Sequence, residues 1–563
     1  MPSARLRLDA LLLAGLAVAW LPANHYYPWA SAWQDGLALT LLAMAVALAS
    51  RPAQLPWPWA AFVLIACASV TAQTLLGQVH FAGDAWMVGL YLFAFALAIV
   101  AGHTLVDDTP TRDAPRLEWF CLALLAAALV SAGIGFAQWA GVQRLGIFGA
   151  DLKPGARPFA NFGQPNHWCT ASLIGLAAAW VLFEARRIGG ATLALIGAVL
   201  LMAMVASGSR TGWLQLGVGL LLVIGLRHRA SLRLHPAAAV LALGAFAAAW
   251  FAWPILNADS APGTARSVVA QAQVGVRGPL WQAMLLAITE RPWAGYGWQQ
   301  MVLAQQAVAL DVPALHIHFE HAHNLLLDLL IWAGVPVGLT LIGLATWGLW
   351  LPLASARDAR MAGLLLAVGG VLVHAMLEFA AEYAYFLLPM GAMLGAAHRL
   401  ASRSGPGFIV RAVPARLAGV LLLLMLVPTG IDYAEAEQSH RTLRMETARI
   451  GTSRAESPPP QLTVLTQLEA FLTFARLEPR AGASPQELAQ ARRVAQRFAY
   501  PPSQFRLARW QALNGDVAGA TRTLALLCAM HPPGHCADVI STWTALREQQ
   551  PALRPVTLPS LPR

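Results

Sequence analysis

The feature that most constrains this chain is the recurrence of apolar stretches long enough to cross a bilayer. Segments such as WMVGLYLFAFALAIVAG and RLAGVLLLLMLVPTGI approach the roughly 20 apolar residues that span about 30 Å of hydrocarbon. The sequence is 57% hydrophobic and only 12% charged, whereas an ordinary soluble domain is about 25% charged. We therefore predict an all-α, polytopic membrane protein with about thirteen transmembrane helices.

The loops between these spans differ in charge, and this difference predicts the orientation. The predicted spans are 8–22, 36–50, 57–76, 85–102, 117–139, 167–185, 191–206, 211–226, 236–254, 334–353, 361–378, 385–397 and 413–430. Within residues 1–430, one set of loops contains most of the arginines, for example Arg186, Arg187 and those within 227–233, which marks it as cytoplasmic. The other set, with the large loop 255–321 and the C-terminal tail, is expected outside, in a periplasm, with the N-terminus inside.

The formal net charge of +10 could also suggest a nucleic-acid-binding protein. The arginines are spread over short loops, however, instead of forming one basic patch with interleaved aromatic residues. This distribution argues against nucleic-acid binding and favours the membrane interpretation.

The end of the chain differs in composition from the rest. A proline run at Pro458 to Pro460 is followed by helix-forming sequence that extends to about residue 548. We predict a transmembrane domain over 1–430 and a helical domain over 431–563. Its RWQALNGDVAGATRTLALLCAMHP segment is similar to a degenerate tetratricopeptide unit, so the domain is expected either to cap the membrane domain or to dock a partner. An oxidising compartment would permit a disulfide between Cys528 and Cys536.

The densest polar cluster is HIHFEHAHN, which precedes an apolar helix. It contains His316, His318, Glu320, His321, His323 and Asn324. Three roles are open for these histidines: metal ligation, capping of a helix at the interface, or a single histidine acting as a general base. The imidazoles do not share one helical face and no HExxH spacing occurs, so no metal site is expected.

Two arginines lie at predicted outer membrane boundaries, Arg210 in SGSRTGW and Arg277 in GVRGPLW. An arginine at such a boundary is costly unless it is paired or functional. Guanidinium groups bind phosphate oxygens in a bidentate manner, so both residues are candidates for binding a pyrophosphate. Anchoring to lipid headgroups is the alternative for Arg210.

Two further polar groups flank predicted spans on the outer side. A turn at Gly163 and Pro165 presents the amides of Gln164 and Asn166, which could bind sugar hydroxyls or cap a helix. Glu378, Glu382, Tyr383 and Tyr385 end another span. Tyrosine there is by default an interface residue, and a functional role for Tyr383 or Tyr385 is the alternative.

Several of these segments resemble one family of membrane ligases. His323-Asn324 followed by nine residues and Gly334, together with SGSRTGW, RGPLWQAM and RPWAGYGW, is similar to the O-antigen ligases and to related enzymes that transfer a glycan from undecaprenyl pyrophosphate. NHYYPW, FANFGQPNHWCT and EYAYFLLPMG resemble the pilin-type bacterial protein O-oligosaccharyltransferases of the same superfamily. The resemblance covers most of residues 1–430 and implies a GT-C-type glycosyltransferase fold with no required metal or other cofactor.

The resemblance also implies a reaction. An oligosaccharide would pass en bloc from undecaprenyl pyrophosphate to Ser or Thr hydroxyls of pilin-type or other periplasmic proteins, with inversion, at the bacterial inner membrane. His323 would be the general base, and Arg210 and Arg277 would bind the donor pyrophosphate. The expected supporting residues are Gln164, Asn166, His167, His321, Asn324, Glu382, Tyr383 and Tyr385.

Two alternatives stay open. Within the same enzyme class, the acceptor could be lipid A core or a second glycan chain, as for an O-antigen ligase or polymerase. A transporter for anions or lipid-linked glycans belongs to another class, but the sequence has neither an evident inverted repeat nor a series of polar residues running inward through the spans.

Overall fold

The structure is a computed structural model. It describes residues 8–560, with gaps at 9, 24, 107–115, 143–144, 147–148, 150–151, 153–155, 257–274, 402–404, 449 and 451–457. Asn24 of the NHYYPW motif and residues 257–274 of the predicted outer loop therefore lie outside the described residues.

Helices account for most of the described residues, which confirms the all-α class. They are, in order, α1 Ala32–Ala47, α2 Trp57–Leu75, α3 Ala82–His103, α4 Arg116–Trp139, α5 Pro165–Glu184, α6 Gly190–Ala206, α7 Thr211–Leu226, α8 Pro236–Leu256, α9 Arg277–Glu290, α10 Met301–Val308, α11 Leu325–Ala354, α12 Arg360–Ala375, α13 Ala384–Leu400, α14 Ala412–Thr447, α15 Thr466–Phe474, α16 Pro485–Arg497, α17 Pro501–Leu513, α18 Val517–Met530 and α19 Pro533–Gln549. Short 3₁₀ helices occur at Gly15–Trp20, Ala380–Glu382 and Pro551–Leu553. One antiparallel pair of strands, β1 Ala53–Pro56 and β2 Gly407–Val410, aligns Ala53 with Val410.

Seven of the helices in the described part of the chain are long and apolar enough to cross a membrane. They are Trp57–Leu75, Ala82–His103, Arg116–Trp139, Pro165–Glu184, Pro236–Ile255, Leu325–Ala354 and Ala412–Thr447. Shorter apolar helices cover several of the other predicted spans, for example Gly190–Ala206 and Arg360–Ala375. The chain is thus a multi-pass membrane protein, and the total of thirteen spans stays a prediction.

Residue contacts divide the chain into two compact units. The first contains residues 1–64, 90–273 and 343–427, and the second contains 65–89, 274–342 and 428–563. The second unit therefore combines the segment around the polar histidine cluster with the C-terminal tail.

Close helix packing in the first unit surrounds α5. A Cβ on Gly175 would lie 2.4 Å from the Cβ of Ala128 in α4, and a Cβ on Gly363 in α12 would lie 2.6 Å from the carbonyl oxygen of Ala177. Such contacts are possible only because glycine has no side chain, as is common between transmembrane helices. They bring α4, α5 and α12 together and fix the polar residues at the ends of α5 and α12.

The tail in the second unit has its own apolar core, which includes Leu524, Leu527 and Trp543. Helix α16 begins with a capping box, in which Ser484 and Glu487 satisfy each other's backbone N–H groups. A disulfide joins Cys528 to Cys536, as the sequence permitted. Helix α14 runs to Thr447, well beyond the predicted end of the last span at residue 430.

Candidate functional site

The histidine cluster lies in an irregular segment before α11. His316 and His323 adopt left-handed backbone conformations, with φ of 52° and 54°. Non-glycine residues seldom adopt this conformation, which is typical of functional positions that the surrounding structure holds in place. The side chain of His323 is half-buried, with its ring edge-to-face on Phe319 at a centroid distance of 5.5 Å. This exposure leaves the imidazole accessible to a substrate.

The backbone next to His323 is held from both sides. The Trp281 indole N–H, from α9, donates to the Ala322 carbonyl at 3.0 Å, while the Ala322 N–H donates to Oδ1 of Asp328 at 2.8 Å. Asn324 caps α11, because its Oδ1 accepts from the N–H groups of Leu326 and Leu327. Asn324 thus supports the position of His323 through the start of the helix.

Arg277 is the first residue of α9 and precedes Trp281 by one turn. Since Trp281 donates to the residue next to His323, helix α9 connects the predicted phosphate ligand with the predicted base. The Arg277 side chain is half-buried. The structure therefore brings Arg277 and His323 into one locally connected set of elements.

The signature glycine Gly334 breaks α11. It has φ of 77° and ψ of 166°, and a Cβ there would lie 2.3 Å from the Trp293 carbonyl oxygen. The RPWAGYGW segment uses the freed backbone groups: the Tyr296 N–H donates to the Ile331 carbonyl at 2.7 Å, and the Val335 N–H donates to the Pro292 carbonyl at 2.7 Å. The Gly334 signature and the RPWAGYGW segment are thus in direct backbone-to-backbone contact. This close approach requires a glycine at position 334.

A glutamine from α2 completes this contact. The side-chain amide of Gln73 donates to the Ala294 and Trp332 carbonyls, and its Oε1 accepts from the Trp298 N–H at 3.2 Å. Nothing in the sequence around Gln73 marks it out, since its partners are more than two hundred residues away.

The tail contacts the histidine segment directly. The His316 N–H donates to the Ala529 carbonyl at 2.9 Å, and its Nδ1 lies 3.0 Å from the carbonyl oxygen of Cys528. The Tyr500 hydroxyl donates to Glu320 at 2.9 Å. The residues before His323 are therefore positioned by α17 and α18 and by the residues next to them.

Buried charges reinforce this contact. Arg497 donates to both oxygens of Asp84, at 3.1 and 3.0 Å, and both side chains are largely buried. Burial alone would raise the pKa of Glu320, but the Arg497 guanidinium, with His318 and His321, holds it below its ordinary value. Burial lowers the pKa of His321 to about 4, against the opposing effect of Glu320. His321 is consequently neutral at pH 7 and well suited to support the segment without charge.

Arg210 lies in the first unit, at the start of α7. The loop before it is held by Arg157, whose Nη1 donates to the carbonyls of Ser207 and Gly208 at 3.3 and 2.9 Å. Arg157 was not singled out from the sequence, although it precedes the FANFGQPNH motif. It brings a second guanidinium group to the SGSRTG loop.

The other predicted polar residues of the first unit converge on one carboxylate. The Gln164 amide donates to Oε2 of Glu378 at 2.6 Å, and the Asn166 amide donates to Oε1. His374 Nε2 lies 3.3 Å from Oε2 of the same side chain. The amide N–H groups of Gln164 and Asn166 therefore have a strong acceptor within the protein itself.

His167 lies next to this carboxylate and to both predicted tyrosines. Its Nδ1 is 2.7 Å from the Tyr385 hydroxyl, and its ring packs edge-to-face on Tyr383 at 4.5 Å. Tyr385 is fully buried and Tyr383 half-buried. Glu382 is also half-buried, in the 3₁₀ turn that precedes Tyr383.

His374 was missed from the sequence. The signal was present, because an ionisable residue in an apolar helix, with Glu378 four residues later, is rarely without a function or a partner. His374 lies in the apolar segment VHAMLEFA, most of which falls within a predicted span, whereas Glu378 ends that span.

Comparisons with known proteins agree with these motifs. A family described as "O-Antigen ligase" matches residues 195–342, which include Arg210, Arg277, His323 and Gly334. A family described as "Protein glycosylation ligase" matches residues 158–183, and one described as "Virulence factor membrane-bound polymerase, C-terminal" matches 361–545.

Two relatives from Acinetobacter baylyi are similar over long stretches. A general O-oligosaccharyltransferase is 29% identical over 543 residues, which are 92% of this chain and 91% of the relative. A ComP-specific O-oligosaccharyltransferase is 25% identical over 340 residues, 60% of each chain. Together with the motif geometry, these matches support a membrane glycosyltransferase that is similar to the bacterial protein O-oligosaccharyltransferases and to the O-antigen ligases.

Proposed function

We propose that this enzyme transfers an oligosaccharide en bloc from undecaprenyl pyrophosphate to Ser or Thr hydroxyls of pilin-type or other periplasmic proteins. The observation that carries the proposal is the environment of His323. Its imidazole is half-buried, its backbone is left-handed, and the adjacent Ala322 is held on both its N–H and its carbonyl. A base positioned in this way loses little conformational freedom when it accepts a proton.

In the proposed step, the acceptor hydroxyl oxygen forms a bond to the anomeric carbon as the bond from that carbon to the pyrophosphate oxygen breaks. The hydroxyl proton moves to His323, and the electron pair of the broken bond leaves with undecaprenyl pyrophosphate. Direct displacement inverts the configuration at the anomeric carbon. General-base catalysis of this kind typically contributes about 100- to 10,000-fold in rate.

Arg210 and Arg277 are proposed to bind the pyrophosphate oxygens. Negative charge grows on the leaving group during displacement, and fixed guanidinium groups stabilise that charge. With this charge supplied by the chain itself, the proposed step requires no metal ion. Arg157 is proposed to support phosphate binding indirectly. It holds the carbonyls of the two residues that lie shortly before Arg210.

The proposed localisation is the bacterial inner membrane, with thirteen spans, the N-terminus in the cytoplasm and the active site in the periplasm. Two features support it. The arginine-rich loops fall on one side of the predicted topology. The Cys528–Cys536 disulfide belongs to the tail that contacts the histidine segment, and disulfides persist in oxidising compartments such as the periplasm.

The tail is proposed to be a tetratricopeptide-like domain that scaffolds the histidine segment. The contacts of Tyr500 with Glu320 and of His316 with Cys528 and Ala529 support this role over that of an independent module. Removing the residues after about 440 is therefore expected to abolish transfer instead of merely changing the acceptor range.

The proposal is tested with purified enzyme, a polyprenyl pyrophosphate-linked glycan and a pilin acceptor, with glycopeptides detected by mass spectrometry. His323→Ala is expected to lose at least about 100-fold in rate while keeping its fold. His535→Ala replaces an exposed tail histidine and serves as the matched control, with an unchanged rate. Full activity of His323→Ala would end the assignment of His323 as base.

Other acceptors are tested in parallel, because the matched families include O-antigen ligases and a polymerase. In parallel reactions, lipid A core or a second lipid-linked glycan replaces the pilin. Transfer to lipid A core alone would identify an O-antigen ligase. Glycan uptake into vesicles without any product would instead identify a transporter.

A further inference from the structure

Three ionisable residues of the first unit form a cluster that the proposed transfer step does not use as base or phosphate ligand. His167, His374 and Glu378 each offer one ligand atom, and these atoms all lie within 4.8 Å of one another. The three residues are between 0 and 5% exposed. Two of them come from different helices, since His167 is the third residue of α5 and His374 lies in the last turn of α12.

Each imidazole of the cluster is oriented by a hydroxyl group. His167 Nδ1 is 2.7 Å from the Tyr385 hydroxyl, and His374 Nδ1 is 2.8 Å from Oγ1 of Thr170. Thr170 in turn accepts from the Gln215 amide at 2.9 Å. Histidines that bind metals nearly always have such a partner on the second ring nitrogen, which leaves Nε2 for the ion.

The carboxylate is oriented in the same manner. Gln164 and Asn166 donate to the two oxygens of Glu378, as expected for a carboxylate ligand that is held by its surroundings. Their N–H groups fix the carboxylate between the two histidines and leave lone pairs on its oxygens.

One atom of the cluster lacks a partner. His167 Nε2 is buried, and no hydrogen-bond partner for it exists among the described residues. An unsatisfied buried polar atom costs about 1–3 kcal/mol, so a native structure rarely retains one without a reason. A cation bonded to His167 Nε2, His374 Nε2 and Glu378 would satisfy it and would replace the direct contact between His374 and Glu378.

We propose that His167, His374 and Glu378 bind one divalent transition-metal ion. Two imidazoles and one carboxylate are a common zinc ligand set with an open fourth position, and imidazole selects zinc, cobalt or copper over magnesium and calcium. The ion joins the start of α5 to the end of α12. The ion takes no part in the transfer step, in which arginines stabilise the leaving group.

The test uses the full-length enzyme in detergent, stripped with a chelator and titrated with Zn²⁺ or Co²⁺. Wild-type protein is expected to bind one equivalent, measured by elemental analysis, and to give the visible absorption bands of a four-coordinate cobalt site. Reloading is expected to raise the apparent melting temperature, since an ion that binds only the folded state stabilises it.

Three variants sharpen the test. His167→Ala and His374→Ala are expected to lose the bound equivalent and the cobalt bands. Thr170→Val, which removes the hydroxyl that contacts His374 and accepts from Gln215, is expected to weaken binding about 10- to 100-fold. Because Thr170→Val keeps all three ligands, it separates metal loss from misfolding. His535→Ala controls for adventitious binding by exposed histidines.

Metal content that is equal in wild type, His167→Ala and His374→Ala would show adventitious binding only and would overturn the proposal. So would a wild-type protein that takes up neither ion after stripping. Neither outcome bears on the role of His323, whose test measures transfer.

Discussion

The two polar regions of this enzyme are held in place by different kinds of interaction. In the first unit, side chains bond to side chains around Glu378, and the cluster is buried. In the second unit, the segment that carries His323 is fixed mainly through its backbone, by Trp281, Asp328 and the contact at Gly334, while the imidazole itself stays half-exposed.

This difference indicates in which region a side chain can be removed without a loss of stability. Removing a buried side chain from the first region leaves its partners unsatisfied, so the cost falls on the fold. Removing the His323 imidazole leaves the backbone contacts of its segment intact. Side-chain substitutions are therefore expected to separate the regions by their effect on the melting temperature.

The largest effect on stability is expected for Glu378→Ala. The change leaves the Gln164 amide, the Asn166 amide and His374 Nε2 without their common acceptor, at about 1–3 kcal/mol for each buried group and roughly 5 kcal/mol in total. Thermal unfolding in detergent measures the loss, with His323→Ala as the comparison that should leave the melting temperature unchanged. Equal melting temperatures for the two variants would remove the distinction between the regions.

Gly334→Ala probes the backbone contact of the second region. A left-handed alanine costs about 1–3 kcal/mol, and a Cβ 2.3 Å from the Trp293 carbonyl oxygen adds an overpacking cost of similar size, so the expected total is about 4 kcal/mol. Gly343→Ala in the same helix is the control, because among the described residues no atom outside the adjoining helix backbone lies within 4 Å of its Cβ position. Transfer and stability should both fall for Gly334→Ala alone.

Arg497→Gln tests whether the second region also depends on a buried charge pair. Asp84 would be left buried and uncompensated, at a cost of about 3 kcal/mol. The double variant Asp84→Asn with Arg497→Gln should recover part of the loss. Arg492→Gln, which breaks an exposed pair with Asp516, should change stability by less than about 1 kcal/mol. If Arg497→Gln were as stable as the double variant, the Arg497–Asp84 pair would have no structural role.

The smallest expected effect concerns the pH dependence of stability. The folded-state pKa of His321, about 4, lies below its ordinary value of 6.5, so the unfolded chain binds more protons between these values. Stability from this group is complete above pH 6.5 and is lost as the pH falls towards 4. His321→Gln should therefore flatten the melting temperature profile over that window. Glu320, whose pKa is below its ordinary 4.5, acts at lower pH. Identical profiles would exclude His321 as the titrating group.

The sequence predicts the helical class and the local motifs well. The His323–Gly334 spacing and the RPWAGYGW segment are both short motifs. In the structure they meet where Gly334 interrupts α11. Short motifs are visible because local backbone geometry determines which residue types are allowed.

The partners of these motifs were not predictable. Arg497 and Asp84 are 413 residues apart, and Glu378 lies more than 210 residues from Gln164 and Asn166. No local periodicity encodes such pairs, since they depend on how whole helices pack. The sequence singled out Gln164 and Asn166 at one span and Glu378 at another, but it gave no indication that their side chains meet.

The contact of His316 with Cys528 and Ala529 also has a consequence for biogenesis. The ribosome completes the histidine segment about two hundred residues before it synthesises the groups that hold this segment in place. His323, the proposed general base, is thus expected to reach its working position only after the last helices have been synthesised and folded, so a nascent or truncated chain in the membrane would not glycosylate its neighbours.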